Sequence, residues 1–183
     1  MTNRWMRWLG ALSLAGLTAA CGGGGGGDGG GDPTTPTVAS IELLASSPEV
    51  GTGGDTITLT AIVKATGNVS LPNTAVTFSS DTGSLSGVVP VTDAAGVATA
   101  RFSAGNDRTN RPARITVRAG TRTATVDVAI NGTRLVFSGP SAMQLGNTAQ
   151  LSLQLLDSRG NAVPGIPVTT SSSLGNTISP ASP

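Results

Sequence analysis

From residue 38 onward, apolar and polar side chains alternate with the period of two that is typical of half-buried β-strands. In residues 55–64 (DTITLTAIVK), every second residue from Ile57 to Val63 is apolar, and threonines occupy most of the positions between them. Segments of similar character are residues 40–44, 75–78, 97–103, 114–118 and 123–130. The pattern therefore predicts a chain of short strands.

Turn residues separate these segments. The dipeptide Ala119-Gly120 lies between the last two of them and predicts a hairpin, and Asn131-Gly132 closes the series. This series of short strands over residues 38–132 predicts an all-β fold, an immunoglobulin-like β-sandwich.

The pattern then restarts with a period of about 93 residues, which indicates tandem domains. Residues 135–137 correspond to residues 41–43, and residues 157–168 correspond to residues 65–76. Between them, Leu151, Leu153 and Leu155 correspond to Ile57, Leu59 and Ala61. The second copy matches the first three strands and lacks everything from Thr92-Asp93 onward. We therefore expect residues 38–132 to form a complete sandwich and residues 133–183 a truncated one, because the sequence is a fragment or the second copy packs poorly. A half sandwich exposes its inner face and strand edges, so residues 133–183 are expected to be less ordered.

Residues 1–20 carry the features of an export signal in the usual order. Arg4 and Arg7 give a positive start, an apolar stretch (WLGALSLAGL) follows, and small residues precede Cys21. The apolar stretch is shorter than the roughly 20 residues of a membrane span. The alternative is an amphipathic or buried N-terminal helix.

Thr18, Ala19, Ala20 and Cys21 resemble the lipobox of bacterial lipoproteins, with Thr18 in place of the usual leucine. The resemblance implies that the Cys21 thiol is acylated, that the signal is cut just before Cys21, and that the new N-terminus is then acylated too. Stable anchoring requires more than one acyl chain, which agrees with this arrangement. An aspartate after the cysteine favours the inner membrane in that family. Gly22 stands there, so the resemblance implies the outer membrane. A free buried or reactive thiol is the alternative.

Residues 21–37 are rich in glycine, proline and threonine and predict a flexible tether of about 20–25 Å. Such a tether would hold a folded domain clear of the lipid headgroups. Loss of Arg4 and Arg7 with the signal changes the net charge from +1 to −1 by count.

Two segments carry a second resemblance. Residues 157–168 (DSRGNAVPGIPV) and 92–102 (TDAAGVATARF) resemble complementary parts of the bacterial immunoglobulin-like domain of group 1, the repeat of the invasin and intimin adhesins. The resemblance covers residues 38–132 fully and 133–183 in part, and Ala65 or Thr66 replaces the family's turn aspartate in the first copy. In that family these domains form rigid stalks that display a distal binding domain.

Composition argues against several kinds of function. The chain has no histidine and a single cysteine, so Ser-His-Asp, Cys-His and zinc sites lack their residues. A net charge of +1 with 11% charged residues argues against nucleic acid as a partner. Carbohydrate modules stack sugars on aromatic rings, whereas Phe78, Phe102 and Phe137 occupy apolar strand positions and are assigned to the core. We expect no enzyme activity, no cofactor and no metal.

Four aspartates fall at predicted turns and are assigned to turn capping, with a calcium site as the alternative. They are Asp81, Asp93, Asp107 and Asp157. Arg114 and Arg118 are assigned to a solvated strand face with Asp127 as a cross-strand partner, and a basic patch toward lipopolysaccharide or anionic lipid is the alternative.

These features predict a lipid-anchored protein of the outer membrane, surface-exposed or facing the periplasm. Its immunoglobulin-like repeats would serve as a stalk or as an adhesion or interaction module for an unknown protein, envelope or host-surface ligand. The alternative is a set of accessory domains in a larger exported enzyme or polysaccharide-binding protein.

Overall fold

The computed structural model describes residues 37–179, in which every regular element is a β-strand. The strands are β1 (Ser40–Ala45), β2 (Glu49–Gly51), β3 (Thr56–Ala65), β4 (Val69–Ser70), β5 (Thr77–Ser80), β6 (Ser84–Ser86), β7 (Val97–Ser103), β8 (Arg111–Ala119), β9 (Arg122–Asn131), β10 (Arg134–Ser138) and β11 (Ser152–Leu156). Within this range, no helix has the length and apolarity that a membrane crossing needs.

Strands β1 to β9 form two sheets that enclose one apolar core, which confirms the predicted β-sandwich. One sheet has the order β1-β3-β7-β6, with β4 paired to β3, and the other has the order β2-β9-β8-β5. Phe102, Leu59 and Ile115 are among the largest fully buried side chains. The alternating pattern thus places its apolar face between the sheets.

Differences from the prediction concern the shortest elements. The strands β2, β4 and β6 have only three, two and three residues, too few for an alternating pattern to register. The segment 75–78 is shifted, because β5 begins at Thr77 while Ala75 forms an isolated bridge with Val91.

The predicted hairpin around Gly120 is confirmed by the antiparallel pairing of β8 with β9. Arg114 lies opposite Asp127 on this hairpin, and its Nε donates to the Asp127 carboxylate at 2.8 Å. The predicted cross-strand pair is therefore present. This hydrogen bond raises the pKa of Arg114 and lowers that of Asp127.

The second copy forms a two-stranded sheet of β10 and β11, with Leu135 opposite Leu155 and Phe137 opposite Leu153. In the first copy Ile41 lies opposite Val63 and Leu43 opposite Ala61. The pairing therefore matches Leu59, Ala61 and Val63 with Leu151, Leu153 and Leu155, two residues further along than the sequence alignment placed them. That alignment was wrong because leucines at every second position match equally well in either register.

Two further expectations for the second copy are corrected. The predicted counterpart of the third strand does not form, since residues 163–179 contain no strand. Phe137 is 61% exposed and therefore does not pack in a core, unlike Phe78 and Phe102. The exposed inner face that was predicted for a half sandwich is confirmed, with Leu135 50% and Leu151 42% exposed.

Candidate functional site: a docked turn between the two copies

Residues 157–161 (DSRGN), here called the docking turn, follow β11 directly. Asp157 Oδ1 accepts the backbone N–H groups of Arg159 and Asn161, each at 2.9 Å. Gly160, at φ +83°, closes the turn by donating its N–H to the Asp157 carbonyl at 3.0 Å. A short side-chain acceptor that caps its own turn is the usual reason for aspartate at such a place.

Two of the other three turn aspartates, Asp93 and Asp107, act in the same way, which confirms their assignment to capping. The assignment is wrong for Asp81, which accepts an N–H from the strand β8, 33 positions further along the chain. Asp93 accepts from the N–H groups of Ala95 and Val97, Asp107 from Thr109 and Asp81 from Arg114. Among residues 37–179, no group of three or more metal-ligating side chains lies together.

Asp157 differs from these three because it is completely buried against the end of the sandwich. Its second carboxylate oxygen forms an ion pair with Arg108, and Arg134 donates to its backbone carbonyl at 3.3 Å. Burial raises the pKa of Asp157, but hydrogen bonds from Asn161 and Arg159 and the charge of Arg108 outweigh it, so the net pKa is lowered. The carboxylate is therefore held in its charged form between the two copies.

Ser158, the next residue of the docking turn, both donates and accepts a hydrogen bond. Its N–H donates to Thr52 Oγ1 at 3.1 Å, and its Oγ accepts the N–H of Gly53 at 2.8 Å. These bonds join residues more than a hundred positions apart, so they fix the turn on the loop between β2 and β3.

An ion pair closes the outer side of the contact. Arg159 donates to Asp55 Oδ1 through Nη2 at 2.6 Å and through Nε at 3.1 Å. Both side chains are about half exposed, so this pair orients the turn more than it stabilises it.

Glycines allow this close approach. A Cβ built on Gly132 would lie 2.5 Å from Ser158 Cβ, and Gly132 also has a φ of +103°, which favours glycine. A Cβ on Gly53 would lie 2.6 Å from Arg159 Cγ and 2.8 Å from Ser158 Oγ. Any larger residue at Gly132 would displace the turn.

The docking turn contacts a set of residues here called the receiving surface: Thr52, Gly53, Asp55, Arg108 and Thr133. Hydrogen bonds of Asn110 and Thr133 hold this surface together. Asn110 makes two hydrogen bonds to the Thr133 backbone, at 2.8 and 2.9 Å. Thr133 Oγ1 in turn shares a hydrogen bond of 2.9 Å with Thr52 Oγ1 and contacts the Arg108 carbonyl. The receiving surface is thus a connected network in which every buried polar side-chain atom has a partner, as far as residues 37–179 show.

An open groove of about 530 Å³ runs beside the contact. Its lining residues are Asn106, Asp107, Arg108, Thr109, Asn161, Ala162, Val163, Pro164 and Ile166. Chemically, the whole arrangement offers hydrogen bonds and ion pairs that hold two parts of one chain together.

The residues singled out for lipidation, Thr18, Ala19, Ala20 and Cys21, lie outside the described residues. The sequence predicts that Asp157 caps its turn, but no sequence feature predicts its partner Arg108. One signal was available: the first copy has Ala65 at the position of Asp157, so a capping aspartate is not needed for the turn itself.

No profile of a known protein family matches the chain, and no curated protein matches it. Similar solved structures include a C-terminal 282-residue fragment of intimin in complex with the intimin-binding domain of the translocated intimin receptor (20% identity, TM-score 0.46, 67% of this chain and 48% of that chain). They also include invasin, described as a bacterial integrin-binding protein (18%, 0.49, 72% and 29%), and the adhesin InvE of Yersinia pseudotuberculosis (25%, 0.44, 64% and 34%). The chain spans less than half of each of these chains. Intimin and invasin, whose repeat the sequence motifs resemble, are thus among the similar solved structures.

Proposed function

We propose that the chain is a lipid-anchored protein of the bacterial outer membrane, in which immunoglobulin-like repeats form a stalk or an interaction module. The observation that carries the stalk is the burial of Asp157 between the two copies. A flexible linker between domains would leave this carboxylate in water, whereas here it is fully buried, paired with Arg108 and capped by its own turn. A junction of this kind sets the direction in which the second copy continues from the sandwich.

We also propose the domain limits of the sequence prediction: a signal in residues 1–20, a lipidated tether in 21–37, a first domain in 38–132 and a second in 133–183. The lipobox resemblance and the glycine-rich tether support this division. Acyl chains on Cys21 would hold the protein in the membrane. The tether would then carry the first sandwich away from the lipid headgroups.

The anchor is tested by the intact mass of the native protein extracted from membranes, compared with a Cys21→Ser variant. Cleavage before Cys21 leaves 163 residues, and we expect the mass of that chain plus its acyl chains. The Cys21→Ser variant should lack the lipid. A wild-type mass without lipid would overturn the anchor. A larger mass with the same lipidated N-terminal peptide would show a longer stalk.

The stalk is tested by distance measurements between spin labels on β9 and β11. The wild-type chain should give one narrow distance distribution, and Asp157→Ala should broaden it. Asp93→Ala is the matched control, since Asp93 caps a turn within the sandwich and its loss leaves the junction intact. Equal, broad distributions in all three proteins would refute a rigid junction.

A further inference from the structure

We propose that the sandwich is a force-bearing unit in which the parallel pairing of β2 with β9 acts as a clamp loaded in shear. The inference rests on the proposed stalk for its biological setting, because a stalk between a membrane and a bound surface carries tension along its length. The geometry of the clamp follows from four features of the chain.

The chain enters and leaves the sandwich at opposite ends of β9. Val38 is the neighbour of Gly120, since its Cγ2 lies 3.8 Å from the position of a Cβ on that glycine. The strand β9 begins at Arg122, beside this hairpin tip, and ends at Asn131, so it has ten residues. Ten residues of strand span roughly 33 Å, so the entry near Val38 and the exit at Gly132 are separated by the length of the strand.

The strand β2 runs parallel to β9 at the exit end, with Glu49, Val50 and Gly51 opposite Ala129, Ile130 and Asn131. Tension pulls β2 toward the entry and β9 toward the exit. The two strands must then slide along each other, and all the hydrogen bonds between them are loaded together. In an unzipping geometry the same bonds would break one after another, at a lower force.

Backbone hydrogen bonds extend the pairing on both sides. Ala129 donates its N–H to the Pro48 carbonyl at 2.9 Å, and Thr52 donates its N–H to the Asn131 carbonyl at 2.9 Å. Val50 and Ile130 are 3% and 1% exposed, so the paired strands are also fixed by core packing. The chain cannot extend through β1 alone, because β2 still holds it to β9.

The docking turn reinforces the exit end of the clamp. Thr52, the residue that follows β2, accepts the N–H of Ser158, and Gly53 donates to Ser158 Oγ. Thr133, just after β9, shares a hydrogen bond with Thr52 Oγ1. A docked second copy therefore ties together the two segments that tension must separate.

The test is single-molecule stretching of the full chain, carrying Cys21→Ser and handles at its two ends. Ala129→Pro removes the N–H that reaches Pro48, and we expect it to abolish the high-force unfolding event. Thr125→Pro is the matched control. Thr125 N–H points to the same edge of β9, since N–H direction alternates along a strand, but β2 does not extend that far. Both residues are exposed, so neither substitution removes core packing.

A second measurement keeps the test valid if Ala129→Pro fails to fold. Handles attached at Thr37 and Arg122, which lie at the same end of the sandwich, pull the wild-type chain across its strands. We expect a lower unfolding force in this direction than between the two ends. Equal forces in both directions, or an unchanged force in folded Ala129→Pro, would overturn the clamp. These outcomes are independent of lipidation, so a chain without lipid defeats the proposed anchor while leaving the clamp result intact.

Discussion

Replacing Thr52 by valine tests how strongly the docking turn is held. Thr52 is completely buried, and its hydroxyl oxygen accepts the N–H of Ser158 and shares a hydrogen bond with Thr133. Valine has nearly the same shape as threonine and carries a methyl group in place of the hydroxyl group. A donor or acceptor left without a partner in a buried place costs about 1–3 kcal/mol. We expect the docked state to be weakened by that amount relative to an open state in which the turn has left the sandwich.

Native-state hydrogen exchange measures this difference, because the amides at the junction exchange when the turn opens. A loss of about 1–3 kcal/mol corresponds to a 5- to 150-fold fall in protection. The effect should appear at the amides of Gly53 and Ser158 and be absent in the middle of β8. Thr125→Val, at an exposed position on β9, is the control and should leave both regions unchanged. If the Gly53 amide exchanges at the same rate in Thr52→Val as in Thr125→Val, the Thr52 hydroxyl does not hold the turn and the reasoning fails.

Three further predictions concern the junction and the core. Because the pKa of Asp157 is lowered on folding, its contribution to docking is complete above the unfolded value of 3.8 and is lost as the pH falls through the folded value. Label distances should therefore broaden in acid, whereas Asp157→Asn should be broad already at neutral pH; a narrow distribution in that variant would contradict this. Phe102→Ala should lower the free energy of unfolding by about 3–5 kcal/mol in a denaturant titration. Phe137→Ala should change the free energy of unfolding by at most about 0.5 kcal/mol. Equal losses in the two variants would refute the assignment of Phe102, but not Phe137, to the core. Gly132→Ala should open the junction in the same distance measurement. Gly54→Ala should not open the junction, because Gly54 has a φ of +94° but nothing lies within 4 Å of an added Cβ. If Gly54→Ala opened the junction and Gly132→Ala did not, the steric explanation would be excluded.

Much of the fold was predictable because a long strand gives a clear alternating pattern of apolar and polar residues. The ten residues of β3 and the ten of β9 alternate over enough positions to define a buried face. The clamp strand β2 has three residues and a parallel partner 80 positions away, and no local pattern reveals such a pairing. The strand register of the second copy was also ambiguous, since its leucines fit two alignments that differ by two residues.

The junction was harder to predict than the fold for a different reason. A capping aspartate and a docking aspartate look identical in a sequence, because the same carboxylate can serve its own turn with one oxygen and a distant arginine with the other. Asp157 does both, through Oδ1 to its turn and through Oδ2 to Arg108. Only the long-range arrangement of the sandwich brings Arg108 to that oxygen.

A comparison of the two copies explains why Asp157 is needed at its position. The turn after β3 pairs Ala65 with Val69 and places Asn68 at a φ of 64°, so a turn of the same length forms without any aspartate. That first turn is exposed from residue 66 to residue 70, whereas Asp157 is fully buried against the sandwich. The copy that docks onto a preceding domain therefore carries the aspartate, and the copy whose turn is exposed lacks it. Burying a carboxylate is costly unless it is paired, which Arg108 ensures only at the docked position. The aspartate thus serves the junction between the two copies more than it serves its own turn.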